Sequence, residues 1–347
     1  MATKRGFNRA IYISGKNKET TYNTAAVGTV QLVRVSSEPF NLDIELVNDT
    51  DLSGGKEEAT TLDELVRSVS GSLTFPRCTP HALAIAGKYG LGATAAAVNS
   101  DTTAYKHQFT PVAAFEMPSF SMEELVYSGL QYQYPGCMIN SFELATQRKG
   151  WWTLNMDVIG SGTRNTGTAS GTELSETFFK AGHVKFWRST GAYDGATQQS
   201  QVTSDLGATL TDITTKAVNF RWRYSNNIAA DDLYEFNSGN VRGRAERDRR
   251  TQDLSFSVEL DDTSYLDALT AQTLWSMELD VVTTALAGAA TVYYGFNLIF
   301  PQIKLKVVHT TGGVGKLLMD CETEVFQDAT YGSVVLDVYN KQTSYTA

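Results

Sequence analysis

The side chains best able to do chemistry in this 347-residue chain are not placed to act together. His81, His107, His183 and His309 lie far apart, and none sits near another histidine or a cysteine at metal-ligand spacing. Cys78, Cys137 and Cys321 form no CxxC pair, so they read as buried or half-buried thiols in a reducing compartment. The run Gly312-Gly313-Val314-Gly315-Lys316 has the composition of a phosphate loop. However, Thr310 stands where the first glycine is required and Leu317 where a hydroxyl must follow the lysine, so the run reads as a hairpin turn. Asp49-Thr50-Asp51-Leu52-Ser53-Gly54 opens like a calcium loop, but the closing acid would fall on Thr60. The acid pairs Glu123-Glu124 and Asp261-Asp262 fall at loop or helix starts, where carboxylates suit the helix dipole. No catalytic residue, metal site or cofactor site is expected.

Charge carries the more informative pattern. The chain has a net charge of −9 and only 19% charged residues. The sign is wrong for gripping DNA and suits a surface past which DNA slides. The low charge density suits a chain that hides surface against copies of itself. Eight acids, Asp43, Glu45, Asp49, Asp51, Glu57, Glu58, Asp63 and Glu64, crowd Asp43–Glu64 beside one base, Lys56. Further on, Arg242, Arg244, Arg247, Arg249 and Arg250 form the densest basic run, at the tip of the region Arg221–Asp253. Glu246 and Asp248 interrupt it, and it holds no aromatic residue on which a base could stack. A protein–protein contact is therefore preferred over nucleic-acid binding or a plain solvated hairpin. Opposite charges on two such tips would fix register and reject like-with-like pairing. The expected inter-subunit or ring-stacking contacts are Asp43, Glu45, Asp49, Asp51, Glu57 and Glu58 with Arg242, Arg244, Arg247, Arg249 and Arg250, on the long loops Val47–Leu62 and Asn226–Arg250.

The elements that must carry these tips are mostly strands. Ala10–Ser14, Trp152–Val158, Gln302–Val308 and Val334–Tyr339 alternate with period two. In Trp152–Val158, Trp152, Leu154, Met156 and Val158 face one way, and Thr153, Asn155 and Asp157 the other. One short helix opens at Thr79-Pro80, runs through Ala82–Tyr89 and stops at Gly90. A second opens near Asp262-Thr263 and carries Tyr265, Leu266 and Leu269 toward a core. A third is expected at Glu173–Lys180.

The order of elements repeats. Ile11-Tyr12-Ile13 matches Val184-Lys185-Phe186, Phe40–Val47 matches Phe220–Asn227, and Leu73-Thr74-Phe75 matches Leu254-Ser255-Phe256, each of the last pair before a helix. A closing hairpin follows in both halves, turning at Gln147–Gly150 and at Thr310–Gly315. Five matched elements in one order point to a tandem duplication, with domains 1–182 and 183–347 joined by the Gly/Ser/Thr-rich stretch Gly160–Gly182. The first half is longer around Thr94–Met117, a segment expected to decorate the outside. The N-terminus has no signal-like apolar core, and no run of about 18 apolar residues exists, so manufacture and assembly in a cytoplasm are expected.

The run FNLDIELVNDTDLSGGKEEATTLDELVRSVSGSLTFPRCTPHALAIAGKYG, from Phe40 to Gly90, resembles phage tail tube proteins. The shared features are an extended segment, a long polar loop, a strand ending in LTF and a short helix opened by Thr-Pro. SGNVRGRAERDRRTQDLSFSVEL in the second half looks like a diverged copy. The resemblance implies a mainly β fold with short helices: two tandem tail-tube-type β-barrel or sandwich domains, each with a flanking helix and a long loop or hairpin. It implies a structural subunit of a long-tailed phage virion, not an enzyme. Such a subunit would form trimeric pseudo-hexameric rings that stack into a hollow tube for DNA passage. The partners it implies are further copies of the chain, the tape measure protein, the tail terminator, distal tail or baseplate proteins and DNA passing through the lumen without specific binding, with no membrane. Another β-rich assembly protein, such as a secretion-tube or capsid-decoration subunit, is the first alternative. A carbohydrate-binding module using Trp151, Trp187 and Trp222 is the second.

Overall fold

The computed structural model describes residues 9–13, 19–25, 31–36, 40–48, 62–94, 98–101, 103–127, 129–168, 170–191, 193, 201, 204–206, 209–236, 239–288, 292–312 and 315–345. The first half supplies β1 (Ala10–Ile13), β2 (Gln31–Val33), β3 (Asn41–Asn48), β4 (Leu62–Phe75), β5 (Gly92–Thr94), β6 (Val98–Asp101), β7 (Ala104–Pro111), β8 (Phe120–Tyr127), β9 (Leu130–Gln147), β10 (Thr153–Gly160) and β11 (Asn165–Thr166). The second supplies β12 (Val184–Thr190), β13 (Leu210–Asp212), β14 (Ala217–Ser225), β15 (Thr251–Glu259), β16 (Trp275–Leu286), β17 (Tyr293–Thr311), β18 (Leu318–Val325) and β19 (Val335–Asn340). The α-helices are α1 (Pro80–Ala86) and α2 (Ser264–Ala271).

Two long strands organise the sheets. β9 pairs with β8 through its N-terminal part and with β10 through its C-terminal part, and β17 pairs with β16 through its N-terminal part and with β18 through its C-terminal part. Antiparallel pairing links β2–β1–β8–β9 in the first half and β13–β12–β16–β17 in the second. It links β3–β4–β10–β9 and β14–β15–β18–β17 in the same way. The two series join where β9 pairs with β14, from Gln147 opposite Asn219 to Ser141 opposite Ser225. The result is one run of eight strands, β3–β4–β10–β9–β14–β15–β18–β17.

One face of this run is apolar in alternation, as period-two patterning requires. Trp152, Leu154, Met156 and Val158 are buried, while Asp157 on the other face is exposed. Phe142 meets Trp222 edge-on at 5.1 Å, and Trp222 meets Phe300 at 5.6 Å, so a single core crosses from one half to the other. α1 lies wholly inside this core. Its start follows from the sequence: Thr79 caps the helix by accepting from the Ala82 amide at 3.2 Å, with Pro80 at the first helical position. After Ala86 the backbone widens into a π-turn, Gly87–Leu91. A Cβ at Gly90 would stand 2.6 Å from the Phe142 ring, so only glycine allows this approach.

Several expectations are corrected. The stretch 173–180 forms no helix: isolated bridges Leu32–Glu173 and Trp151–Lys180 and backbone bonds of Phe179 to Cys78 and Trp152 tie its backbone to distant residues instead. In α2, Tyr265 and Ala268 are buried but Leu266 is exposed, since a short helix presents one narrow stripe to the sheet. β19 is buried on both faces, not alternately, because it lies between β17 and β7 with α1 against it. β7, inside the segment expected to decorate the outside, pairs with β19 and buries His107 and Phe109 completely.

Candidate assembly surfaces

The eight-strand run ends in two edges. Among the described residues β3 pairs on one side only, with β4, and the stretch 304–311 of β17 pairs on one side only, with β18. An unpaired edge is a row of free amides and carbonyls that templates pairing with another chain. Inside the chain the equivalent position is already filled by the β9–β14 pairing.

The face of the run that points away from the core is polar. Cross-strand register puts Ser70, Ser72 and Thr74 of β4, Asp157 of β10, Glu143 of β9, Arg221 and Arg223 of β14, Asp253 of β15 and Glu322 of β18 on it. With Asp320, Glu324 and Lys304, its acids outnumber its bases. Arg221 donates to Glu143 at 2.8 Å across the β9–β14 joint, and Ser141 donates to Asp157 at 2.6 Å.

The two charged tips are treated differently by the fold. Asp43 and Glu45 are exposed on β3; Asp49, Asp51, Glu57 and Glu58 lie outside the described residues. The β3–β4 hairpin also exposes Leu46 (52%), Leu62 (58%) and Leu65 (55%). The basic loop is folded down onto the first half of its own chain. Its Asn240 carbonyl accepts from the Arg67 amide at 2.7 Å, and its Tyr234 hydroxyl donates to the Arg67 carbonyl at 2.8 Å. Arg242 is buried: its guanidinium donates to the Ala230 carbonyl at 2.9 Å and to the Gly160 carbonyl, and stacks on Tyr234. Arg247 donates to the Ala113 carbonyl at 3.1 Å over Phe115, and Arg250 to the Val112 carbonyl, with burial drawing the Arg250 pKa down. Arg244 donates to the Asp232 carbonyl at 3.0 Å and pairs loosely with Glu235 and Glu246 of its own loop. Arg249 is exposed. Composition could not separate these arginines, because what distinguishes them is which carbonyls lie within reach.

A match to the family model described as "phage tail tube protein" runs over residues 6–316. The chain belongs to the phage tail tube protein family. It is a structural subunit of a phage tail tube, a component of the virion tail, and such subunits assemble with their own copies into a stacked tube. Family membership fits a non-enzymatic role for this tube protein, and among the described residues no group of three or more His, Cys, Asp or Glu could hold a metal ion. No curated protein sequence matches the chain. Among solved structures, a doubly substituted Hcp1 protein from E. coli EAEC 042 pathovar shares 17% identity, covering 45% of this chain and 97% of its own at a TM-score of 0.25. A second Hcp protein shares 12% identity, covering 46% of this chain and 98% of its own at a TM-score of 0.24. Of the tryptophans considered for sugar binding, Trp187 and Trp222 are core residues and only Trp151 is exposed. No helix among the described residues is long and apolar enough to cross a membrane.

Proposed function

We propose that the tube protein is a tandem of two tube domains, 1–182 and 183–347, and that three copies close into a ring of pseudo-sixfold symmetry. The observation that carries this reading is the eight-strand run: one polar face and, among the described residues, an unpaired edge at each end. Placing the β17 edge of one copy against the β3 edge of the next repeats the β9–β14 joint and leaves no free edge in this run. The polar face then lines the lumen. Its excess of carboxylates repels the phosphate backbone, so DNA passes during ejection without sticking. Rings stack head to tail, which gives an open filament. The chain is made and assembled in the host cytoplasm, around the tape measure protein, between the tail terminator and the distal tail or baseplate proteins.

Asp43, Glu45, Asp49, Asp51, Glu57 and Glu58 form contacts between copies, as do the more exposed arginines Arg244 and Arg249. Arg242, Arg247 and Arg250 hold their loop in the position from which it makes those contacts. Electron microscopy of the purified chain, with sedimentation to count subunits, tests the reading. Trimeric rings or hollow tubes are expected, and a monodisperse monomer at all concentrations would overturn it.

A further inference from the structure

Strand direction sets the polarity of the molecule along its strands. In the antiparallel run β3, β10, β14 and β18 point one way and β4, β9, β15 and β17 the other. The β3–β4 hairpin and the 226–250 loop therefore leave the same end. The β9–β10 turn, the residues after β4 and the β17–β18 turn lie at the opposite end. The acidic hairpin cannot meet the basic loop of a ring stacked head to tail; it meets whatever the opposite end presents.

That opposite end carries a cationic, aromatic patch. The Arg77 guanidinium stacks 4.5 Å from the Phe178 ring centre, and the Lys180 ammonium lies 4.9 Å from that of Trp151. Trp151 and Phe178 meet edge-on at 6.0 Å, and Trp151 is 38% exposed. Lys149 is exposed in the turn between β9 and β10, at a positive φ of 73°. Glu173 pairs with Arg34, Glu176 accepts from the His81 amide at 2.7 Å, and Glu143, at the border of the adjoining cleft, pairs with Arg221. An open cleft of about 560 Å³ adjoins the patch, bordered by Pro76, Gly150, Trp151 and Thr153.

We infer that this patch, Arg77, Lys149, Trp151, Phe178 and Lys180, is the receptor for the β3–β4 hairpin of a second copy of the chain in the adjacent ring. The inference rests on the ring-and-tube reading above and names the partner surface of its stacking contact. Two complementarities support it. The hairpin offers carboxylates to a cationic patch, and it offers exposed Leu46, Leu62 and Leu65 to exposed aromatic surface. Cations already held over aromatic rings keep their charge outward and cost little ordering when an acid arrives. The two surfaces sit at opposite ends of one sheet, so the contact is heterologous and propagates.

Two charge-reversed variants test this. Arg77→Glu with Lys149→Glu and Lys180→Glu makes both ends acidic. Asp49→Lys with Asp51→Lys, Glu57→Lys, Glu58→Lys and Asp63→Lys makes both ends basic. Each alone should form rings but raise the concentration needed for tube growth by more than about tenfold. Mixed in equal amounts, they should grow tubes of alternating composition. Tube growth by the patch variant alone at the wild-type concentration, or a mixture that stays as rings, overturns the inference. Wild-type protein that forms no rings would instead overturn the ring reading, so the two failures are distinguishable. Should a variant fail to fold, carbodiimide cross-linking of wild-type tubes decides the matter. Links from Lys149 or Lys180 to an acid of 43–64 in another copy are expected. Links of these lysines only within their own chain overturn the inference.

Discussion

Replacing His107 by glutamine should remove a specific part of the acid sensitivity of this protein. His107 sits on β7 with no exposed surface. Its Nε2 is 2.8 Å from the Gln342 carbonyl, and the ring meets Tyr345 edge-on at 4.7 Å. Tyr345 also contacts His81 Nδ1 at 2.7 Å and accepts from Asn340 at 2.9 Å, so the imidazole helps clasp the C-terminal segment to the first half. Burial pulls its pKa from 6.5 down to about 4, so the folded protein holds it neutral. In the unfolded chain it protonates near its ordinary value. The unfolded state therefore binds more protons over this window, and stability falls as pH falls from 6.5 toward 4. One pKa unit corresponds to about 1.4 kcal/mol, so the loss is about 2 kcal/mol by pH 5 and about 3 kcal/mol by pH 4. Urea denaturation at several pH values, on wild type and H107Q, measures it. The carboxylates titrate in both proteins and cancel in the difference. Glutamine can still donate to the Gln342 carbonyl, so the variant should lose some stability at pH 7.5 through ring packing but lose less of it on acidification. Parallel pH dependences for the two proteins would refute the reasoning.

Three other perturbations separate the remaining roles. Val307 and Val308 are adjacent on the free-edge portion of β17, so their amides point to opposite sides, one toward β18 and one outward. Of V307P and V308P, the one that removes the outward amide should stay folded yet lose the trimer by sedimentation; two variants that both assemble like wild type would count against edge closure. Trp222→Ala should cost about 3–5 kcal/mol in chemical denaturation, since the indole is fully buried between Phe142 and Phe300 at the joint of the two halves. Arg242→Ala should cost about 2–3 kcal/mol by leaving buried carbonyls unpaired, whereas Arg249→Ala should change stability by no more than about 0.5 kcal/mol while impairing tube growth; equal effects of the two on stability would show that the basic loop is not anchored as described.

How much of this was legible beforehand varied with the range of the interaction. The alternation in Trp152–Val158 and the Thr79-Pro80 helix start are local, and both appear as read. The stretch 173–180 misled because its composition is compatible with a helix while its backbone is tied to Leu32 and Trp151, distant in sequence. The candidate contacts were legible as charge and not as placement. Arg242 and Arg249 are indistinguishable in a basic run, yet one is 5% exposed and the other is on the surface.

By itself the sequence determined a β-rich chain, acidic overall, with one acidic and one basic tip and the marks of a tail tube protein. Those properties live in residue types and in periods of two, which need no knowledge of distant neighbours. Only the tertiary structure decided that β7 completes a layer with β19, that the basic loop is tied to its own chain, and that both tips leave the same end of the sheet. Each of these depends on pairings between residues far apart in the chain. Register and strand direction set them, and no local pattern encodes either.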